Sequence, residues 1–140
     1  INGTIYQLKV PVNWIEETDP QSQNDDFEFM ISDLKESEFV GCIAENKEDF
    51  VDIEVYTDLA TEHIEGFTGK TVRFENKNVN GKQIKAAELD AVIEGMKISY
   101  IYHIVETKTS YVQLYAWTVT RLFDGSHDRL EAILNSFEEK

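Results

Sequence analysis

The sequence has a single cysteine, Cys42, and few basic residues among its 140 positions. One cysteine excludes an intramolecular disulfide and also zinc sites of the Cys₄ or Cys₂His₂ type. The 13 Lys and Arg stand against 27 Asp and Glu, which gives a formal charge of −14 at pH 7. That charge argues against nucleic acid and anionic lipid as partners, because both require a basic surface. No apolar run approaches the roughly 20 residues that span a bilayer, so we expect no direct membrane insertion.

Motifs for catalysis and for cofactor binding are also missing. The sequence contains no Gly-x-Ser-x-Gly, Ser-x-x-Lys, Gly-x-Gly-x-x-Gly or His-Glu-x-x-His pattern. Cys42 lies in an apolar segment and is interpreted as a small core residue, not as a nucleophile paired with His103. His63, His103 and His127 are isolated from one another, and we expect a zinc ion at a histidine–carboxylate pair to be adventitious. We therefore predict no catalytic residues, no functional metal site and no cofactor.

The pattern of apolar residues predicts a chain rich in strands. Predicted strands cover residues 4–10, 27–31 and 39–44, and a polar connection runs over 11–26. From residue 70 onward the pattern is that of a β-meander, with strands up to 79 and over 82–93, 96–106 and 111–120. Asn80-Gly81 favours a type I′ hairpin turn, and Glu94-Gly95 marks a second turn. Segment 96–106 is apolar on both faces, which predicts an interior strand of a sheet covered on both sides.

Two helices are predicted. The first covers residues 49–64 and closes at Gly66, although its β-branched residues leave its start open to a strand interpretation. The second begins at the N-cap Ser126 and has an apolar face formed by Leu130, Ile133, Leu134 and Phe137. Runs of strands with helices segregated between them predict an α+β fold with a mainly antiparallel sheet of about six or seven strands.

The order of elements and two short segments resemble the PsbP-like superfamily, which also contains the Ran-binding Mog protein. The segments are Val-Pro-Val-Asn-Trp at 10–14 and Ile-Leu-Asn-Ser-Phe at 133–137. The family usually has glycine before the tryptophan, where this chain has Asn13, a residue that also tolerates positive φ. The resemblance is strongest to bacterial lipoprotein-like members of unknown function. It implies a sheet sandwiched between helices and a non-enzymatic fold used for protein contacts.

The resemblance also implies a place in the cell. Bacterial relatives are often exported and tethered by a lipid on an upstream cysteine. We expect residues 1–140 to form one domain excised from a longer chain, with the targeting segment upstream of Ile1. The leading hypothesis is a non-catalytic protein-interaction domain of an extracytoplasmic lipoprotein. The alternatives are a cytoplasmic acidic regulator or immunity-type protein with a basic partner, and an enzyme or small-ligand carrier whose aromatic meander lines a pocket.

Four aromatic residues are the candidate partner-binding set: Trp14, Tyr111, Tyr115 and Trp117. The last three share one face of a single predicted strand. One interpretation is that these residues pack beneath a helix as part of the core. The other is that they form a partner surface inside an acidic rim, because Tyr and Trp are favoured at interface hot spots.

Overall fold

The computed structural model describes residues 6–19, 27–35, 37–69 and 71–139. The elements in chain order are β1 (Tyr6–Gln7), β2 (Ile15–Glu16), β3 (Phe29–Asp33), β4 (Glu38–Asn46), a 3-10 helix (Lys47–Asp49), α1 (Ile53–Thr68), β5 (Glu75–Val79), β6 (Lys82–Ile93), β7 (Met96–Glu106), β8 (Ser110–Val119), α2 (Thr120–Asn135) and β9 (Glu138–Glu139). Seven strands form one antiparallel sheet in the order β2-β3-β4-β8-β7-β6-β5, and β1 pairs with β9. The predicted α+β class and strand number are confirmed.

The β-meander forms as predicted. Strands β6 and β7 have the predicted bounds, 82–93 and 96–106. Asn80 and Gly81 have φ of 52° and 80°, and Glu94 and Gly95 have φ of 52° and 81°. Positive φ at both central residues is the geometry of a type I′ turn, whose twist matches that of the flanking strands.

Helices cover the sheet on its two faces, which we name the α1 face and the α2 face. Strand β7 is an interior strand, and its side chains alternate between these faces. Tyr102 and Ile104 pack with α1, whereas Ile101 and Val105 pack in the cluster that contains α2. All four side chains are at most 3% exposed. The prediction that this strand is buried on both sides is therefore confirmed.

The N-terminal part differs from the prediction. The structure assigns β1 only to Tyr6–Gln7, and residues 4 and 5 of the predicted first strand lie outside the described residues. The predicted connection 11–26 contains the short strand β2, while its residues 20–26 are also outside them. Strand β3 starts two residues later than predicted, and β5 starts at Glu75.

Helix α1 begins later and ends later than predicted. Asp52 is its N-cap, and the carboxylate accepts a hydrogen bond of 2.9 Å from the Val55 N–H. This bond satisfies one of the amide groups that a helix start leaves unpaired, so the helix begins at Ile53. The helix continues past Gly66 and closes at Gly69, which has a φ of 70°.

The predicted N-cap of the last helix is wrong. Helix α2 follows β8 directly at Thr120, and Ser126 lies buried inside it. Packing of the whole helix on the sheet outweighs the weak helix propensity of the Asp124-Gly125 pair. The predicted apolar face is confirmed: Leu130, Ile133, Leu134 and Phe137 are each at most 3% exposed, with Phe137 just beyond the helix end.

An ion pair between the buried Glu38 and the partly exposed Arg129 joins α2 to the sheet. Glu38, at the start of β4, has a fully buried side chain. The Arg129 guanidinium donates from Nε to Oε1 of Glu38 at 2.8 Å and from Nη2 to Oε2. A bidentate contact of this kind fixes geometry as well as charge, and loss of Arg129 leaves the buried Glu38 carboxylate without this partner.

We expect Phe137→Ala to lower the free energy of unfolding by about 3–5 kcal/mol, because it leaves a cavity in the α2 core. Urea denaturation followed by circular dichroism measures the change. Val12→Ala is the matched control, since Val12 is fully exposed and its truncation should change stability by less than about 0.5 kcal/mol. Equal stability of the two variants would contradict the burial assigned to Phe137.

Candidate functional site

The structure separates the four predicted partner-binding residues. Tyr115 and Trp117 are half-buried neighbours on the α1 face. Tyr111 is 3% exposed under α1, stacked on Tyr56 with ring centroids 4.9 Å apart. Trp14 is 8% exposed and belongs to the core cluster on the α2 side. The interpretation as core residues therefore holds for Tyr111 and Trp14, and partner binding by Tyr115 and Trp117 stays a prediction.

Tyr115 and Trp117 form part of a larger cluster, which we name the aromatic patch. Its members are Phe27, Phe39, Tyr100, Tyr115 and Trp117. Trp117 is the centre: it stacks on Phe39 with centroids 5.5 Å apart, and the Tyr100 and Phe27 rings lie at 5.7 Å and 6.1 Å. Phe27 is buried, and the other four side chains are half-buried. The patch therefore exposes part of its aromatic surface to solvent, while its rings pack against one another.

Strand register produces this patch. Phe39 of β4 pairs with Trp117 of β8, and Trp117 pairs with Tyr100 of β7. Directly opposed residues point to the same face, so the three rings form one row across three strands. Phe39 and Tyr100 were missed as site residues because the sequence does not show that β4 and β7 flank β8. Helix α1 packs farther along this face, over Tyr102 and Ile104.

A buried hydrogen-bond network joins the patch to α1. The amide of Gln113 accepts at Oε1 from the Tyr115 hydroxyl at 2.7 Å and donates from Nε2 to the Tyr56 oxygen at 2.8 Å. The Tyr56 hydroxyl donates to Glu45 at 2.9 Å. Burial raises the pKa of Tyr56, so its hydroxyl remains a donor at neutral pH. The network holds Tyr115 in one orientation.

The α2 face carries a polar cavity of about 180 Å³. Its polar lining residues are Arg73, Glu75, Lys77, Glu88, His103 and Glu131. They come from β5, the residues before it, β6, β7 and α2. A cavity of this size and polarity holds several water molecules or one small polar ligand.

His103 is the buried polar residue of this cavity. It is 1% exposed, and neither ring nitrogen has a hydrogen-bond partner within the described part of the chain. Burial, together with the charge of Lys77, lowers the pKa of His103 to about 4. The imidazole is therefore neutral at pH 7, with one nitrogen as a donor and the other as an acceptor. A buried group of this kind calls for a partner inside the cavity.

At the edge of the cavity, His127 lies between carboxylates. Its Nε2 is 2.8 Å from Oε2 of Glu88 and 3.7 Å from Oε2 of Glu131, and its Nδ1 is 3.4 Å from Oδ1 of Asp128. The hydrogen bond to Glu88 is the main cause that raises the pKa of His127. Among the described residues, Glu88, His127 and Glu131 form a cluster in which one potential ligand atom of each side chain lies within 4.8 Å of the other two. We name this set the Glu–His–Glu cluster.

Two further residues were considered as a metal ligand or a nucleophile, His63 and Cys42. His63 is an exposed residue of α1, outside both the aromatic patch and the cavity. Cys42 is completely buried in β4, and desolvation raises the pKa of its thiol far above neutral pH. A buried thiol of this kind is a poor nucleophile, so the interpretation of Cys42 as a core residue is confirmed.

Solved structures share this architecture. PsbP (CyanoP) of Synechocystis sp. PCC 6803 aligns with a TM-score of 0.72 and 13% identity, covering 96% of this chain and 86% of that one. LpqN of Mycobacterium tuberculosis, described as involved in cell envelope biogenesis, aligns with a TM-score of 0.68 and 13% identity over 99% and 84%. PA94 of Pseudomonas aeruginosa, of unknown function, gives 0.61 and 9% over 95% and 81%.

The chain has a PsbP-like fold, as these alignments and the antiparallel sheet with its two helices show. No protein-family profile and no curated protein matches the sequence. Within the described residues, neither helix has the length and apolarity that a membrane crossing requires. The predicted resemblance is confirmed at the level of the fold.

We expect His103 to make the protein less stable in acid. The unfolded chain takes up a proton on this residue near pH 6.5, whereas the folded protein does so near pH 4. The unfolded state therefore gains protons first as the pH falls, and the free energy of unfolding drops by about 3 kcal/mol between pH 7 and pH 4. Urea denaturation at several pH values measures this loss.

The matched variant is His103→Gln, which cannot titrate. His127 acts in the opposite direction, because its raised pKa adds stability below about pH 6.5 that is lost as the pH rises. His127 and the carboxylates are present in both the wild-type protein and the His103→Gln variant. The difference between their two profiles of unfolding free energy against pH therefore isolates the contribution of His103. Parallel profiles would contradict the prediction.

Proposed function

We propose that this chain is a non-catalytic protein-interaction domain of an exported bacterial protein that is tethered to the cell envelope. The aromatic patch is its contact surface. The observation that carries this proposal is the half-exposed row of Phe39, Trp117 and Tyr100 across three paired strands.

The physical properties of the patch suit a protein partner. Stacked rings on neighbouring strands have few conformations to lose, so they contribute large contact area at a small entropy cost. Trp and Tyr near the centre of an interface supply most of its binding energy. The net charge of −14 makes the chain acidic as a whole, which favours basic partners and speeds their approach.

The chemistry of the described residues supports a non-catalytic role. Cys42 is buried, and His103 has neither a nucleophile nor a carboxylate within hydrogen-bond distance among the described residues. A general base acts on a group within hydrogen-bond reach, and it is usually held in place by a second partner. The row of Phe39, Trp117 and Tyr100 in the aromatic patch contains no histidine, cysteine or carboxylate that could act as such a base.

The structural comparisons support the cellular setting. LpqN, which shares the fold over nearly the whole chain, is described as involved in cell envelope biogenesis. CyanoP shares the same architecture. The alternative is a cytoplasmic acidic regulator that binds a basic protein, and the observation in its favour is the large negative charge.

We expect the native protein in the membrane fraction of its cell, with a lipid-modified cysteine upstream of Ile1. Cell fractionation followed by intact-mass analysis of the N-terminus tests this. An unmodified protein in the cytosolic fraction would contradict export and would favour the acidic regulator. In that case binding of a basic partner should weaken strongly as the salt concentration rises.

We expect Trp117→Ala to weaken partner binding by at least about 30-fold, the equivalent of 2 kcal/mol, because it removes the centre of the patch. Partners recovered from envelope extracts with the wild-type protein are purified, and their affinity for each variant is measured by calorimetry. Phe39→Ala is the second variant, and circular dichroism checks the fold of both. Val92→Ala is the control, because Val92 is 67% exposed and lies outside the patch. Equal affinity of all variants would contradict the assignment of the surface.

A further inference from the structure

We propose that Glu88, His127 and Glu131 form a binding site for a divalent metal ion, Zn²⁺ in the first place, at the rim of the polar cavity that contains His103. The inference does not depend on the proposed interaction role, because it concerns the opposite face of the sheet. It revises the expectation that a zinc ion at a histidine–carboxylate pair is adventitious.

The distances between the ligand atoms fit a metal ion. Around a tetrahedral Zn²⁺ with bonds of about 2.0–2.2 Å, two ligand atoms lie roughly 3.3–3.6 Å apart. Nε2 of His127 is 2.8 Å from the Glu88 oxygen and 3.7 Å from the Glu131 oxygen, values on either side of that range. The three ligand atoms all lie within 4.8 Å of one another.

The scaffold holds these ligands on regular elements. His127 and Glu131 are four residues apart on α2, so they lie on the same side of the helix, one turn from each other. Glu88 comes from β6, where it pairs with Ile101 of β7 in the interior of the sheet. Sites built on helices and strands hold their ligands more exactly than sites built on loops.

The cavity supplies a second, independent observation. His103 pairs with Ala86, two residues before Glu88 on the same strand, so both side chains lie on the α2 face as diagonal neighbours. Glu88, Glu131 and His103 all line the cavity. His103 is 1% exposed, and its ring nitrogens have no partner among the described residues. A ligand or an ordered water molecule in the cavity satisfies such a histidine.

Three protein ligands leave one position open in a tetrahedral site, and a water molecule usually occupies it. With Glu88 and Glu131 on the cavity lining, that water has room inside the cavity. The neutral imidazole of His103 is then available to hydrogen-bond that water. Arg73 and Lys77, on the same lining, favour negative charge at this position, so a hydroxide or a small anion suits it as well as water.

The experiment is a titration of the metal-free protein with zinc chloride, followed by isothermal calorimetry. We expect saturable binding of one ion per chain. Glu88→Gln and Glu131→Gln keep the shape of each side chain and remove its charge. Each should lower the zinc affinity by at least about 100-fold, more than the loss of a residue that only hydrogen-bonds a ligand usually costs.

Two controls separate this site from weak binding elsewhere. Asp58→Asn changes an exposed carboxylate of α1, outside both the cavity and the Glu–His–Glu cluster. His63→Asn changes the exposed histidine of α1. Both variants should bind zinc with an affinity within threefold of the wild type. Circular dichroism checks that all four variants are folded.

Two outcomes would overturn the proposal. The first is no saturable binding of zinc at micromolar concentrations. The second is equal affinity of the two Gln variants and the wild type, which means an adventitious ion only. Substitution with Co²⁺ adds a direct readout: the visible absorption of a four-coordinate Co²⁺ ion should appear in the wild-type protein and be lost in Glu88→Gln.

Discussion

The pairing of β7 with β8, buried on both faces, is the constraint on which the rest of the structure depends. Tyr102 pairs with Tyr115 on the α1 face, while His103 pairs with Leu114 on the α2 face. Because side chains alternate, a shift of one residue would exchange these faces and bury the wrong groups under each helix. The same register that packs the two cores therefore also builds the aromatic row on one side and places His103 beneath α2 on the other.

The position of α2 links stability to the cavity. Its apolar residues, among them Leu130 and Leu134, anchor it in the core, and the Arg129–Glu38 pair fixes it to β4. The same helix carries His127 and Glu131 to the rim of the cavity. With Arg129 partly exposed, this ion pair adds little net stability, but its bidentate contact fixes the position of α2 on β4. The position of α2 in turn determines the distance between this helix and Glu88 of β6.

Local patterns in the sequence were enough to predict β6, β7, their turns and the apolar face of α2, because each depends on residues close in the chain. The start of α2 was predicted wrongly, since contacts with the sheet outweighed the preference of Ser126 for a cap. The candidate sites were harder. Phe39 joins Trp117, and Glu88 joins His127, only through the strand order and the placement of α2. Periodicity within one segment carries no information about such distant neighbours.

The edges of the large sheet have a consequence for how the protein behaves when concentrated. The two outer strands of the described sheet are β2, with two residues, and β5, whose residues 75–78 are all exposed and polar. An unpaired strand edge invites pairing with another chain, and short or charged edges prevent it. Glu75 and Lys77 place charges on β5, so the edges oppose edge-to-edge aggregation. The two edges of the described sheet therefore disfavour the joining of sheets between copies of this domain at high concentration.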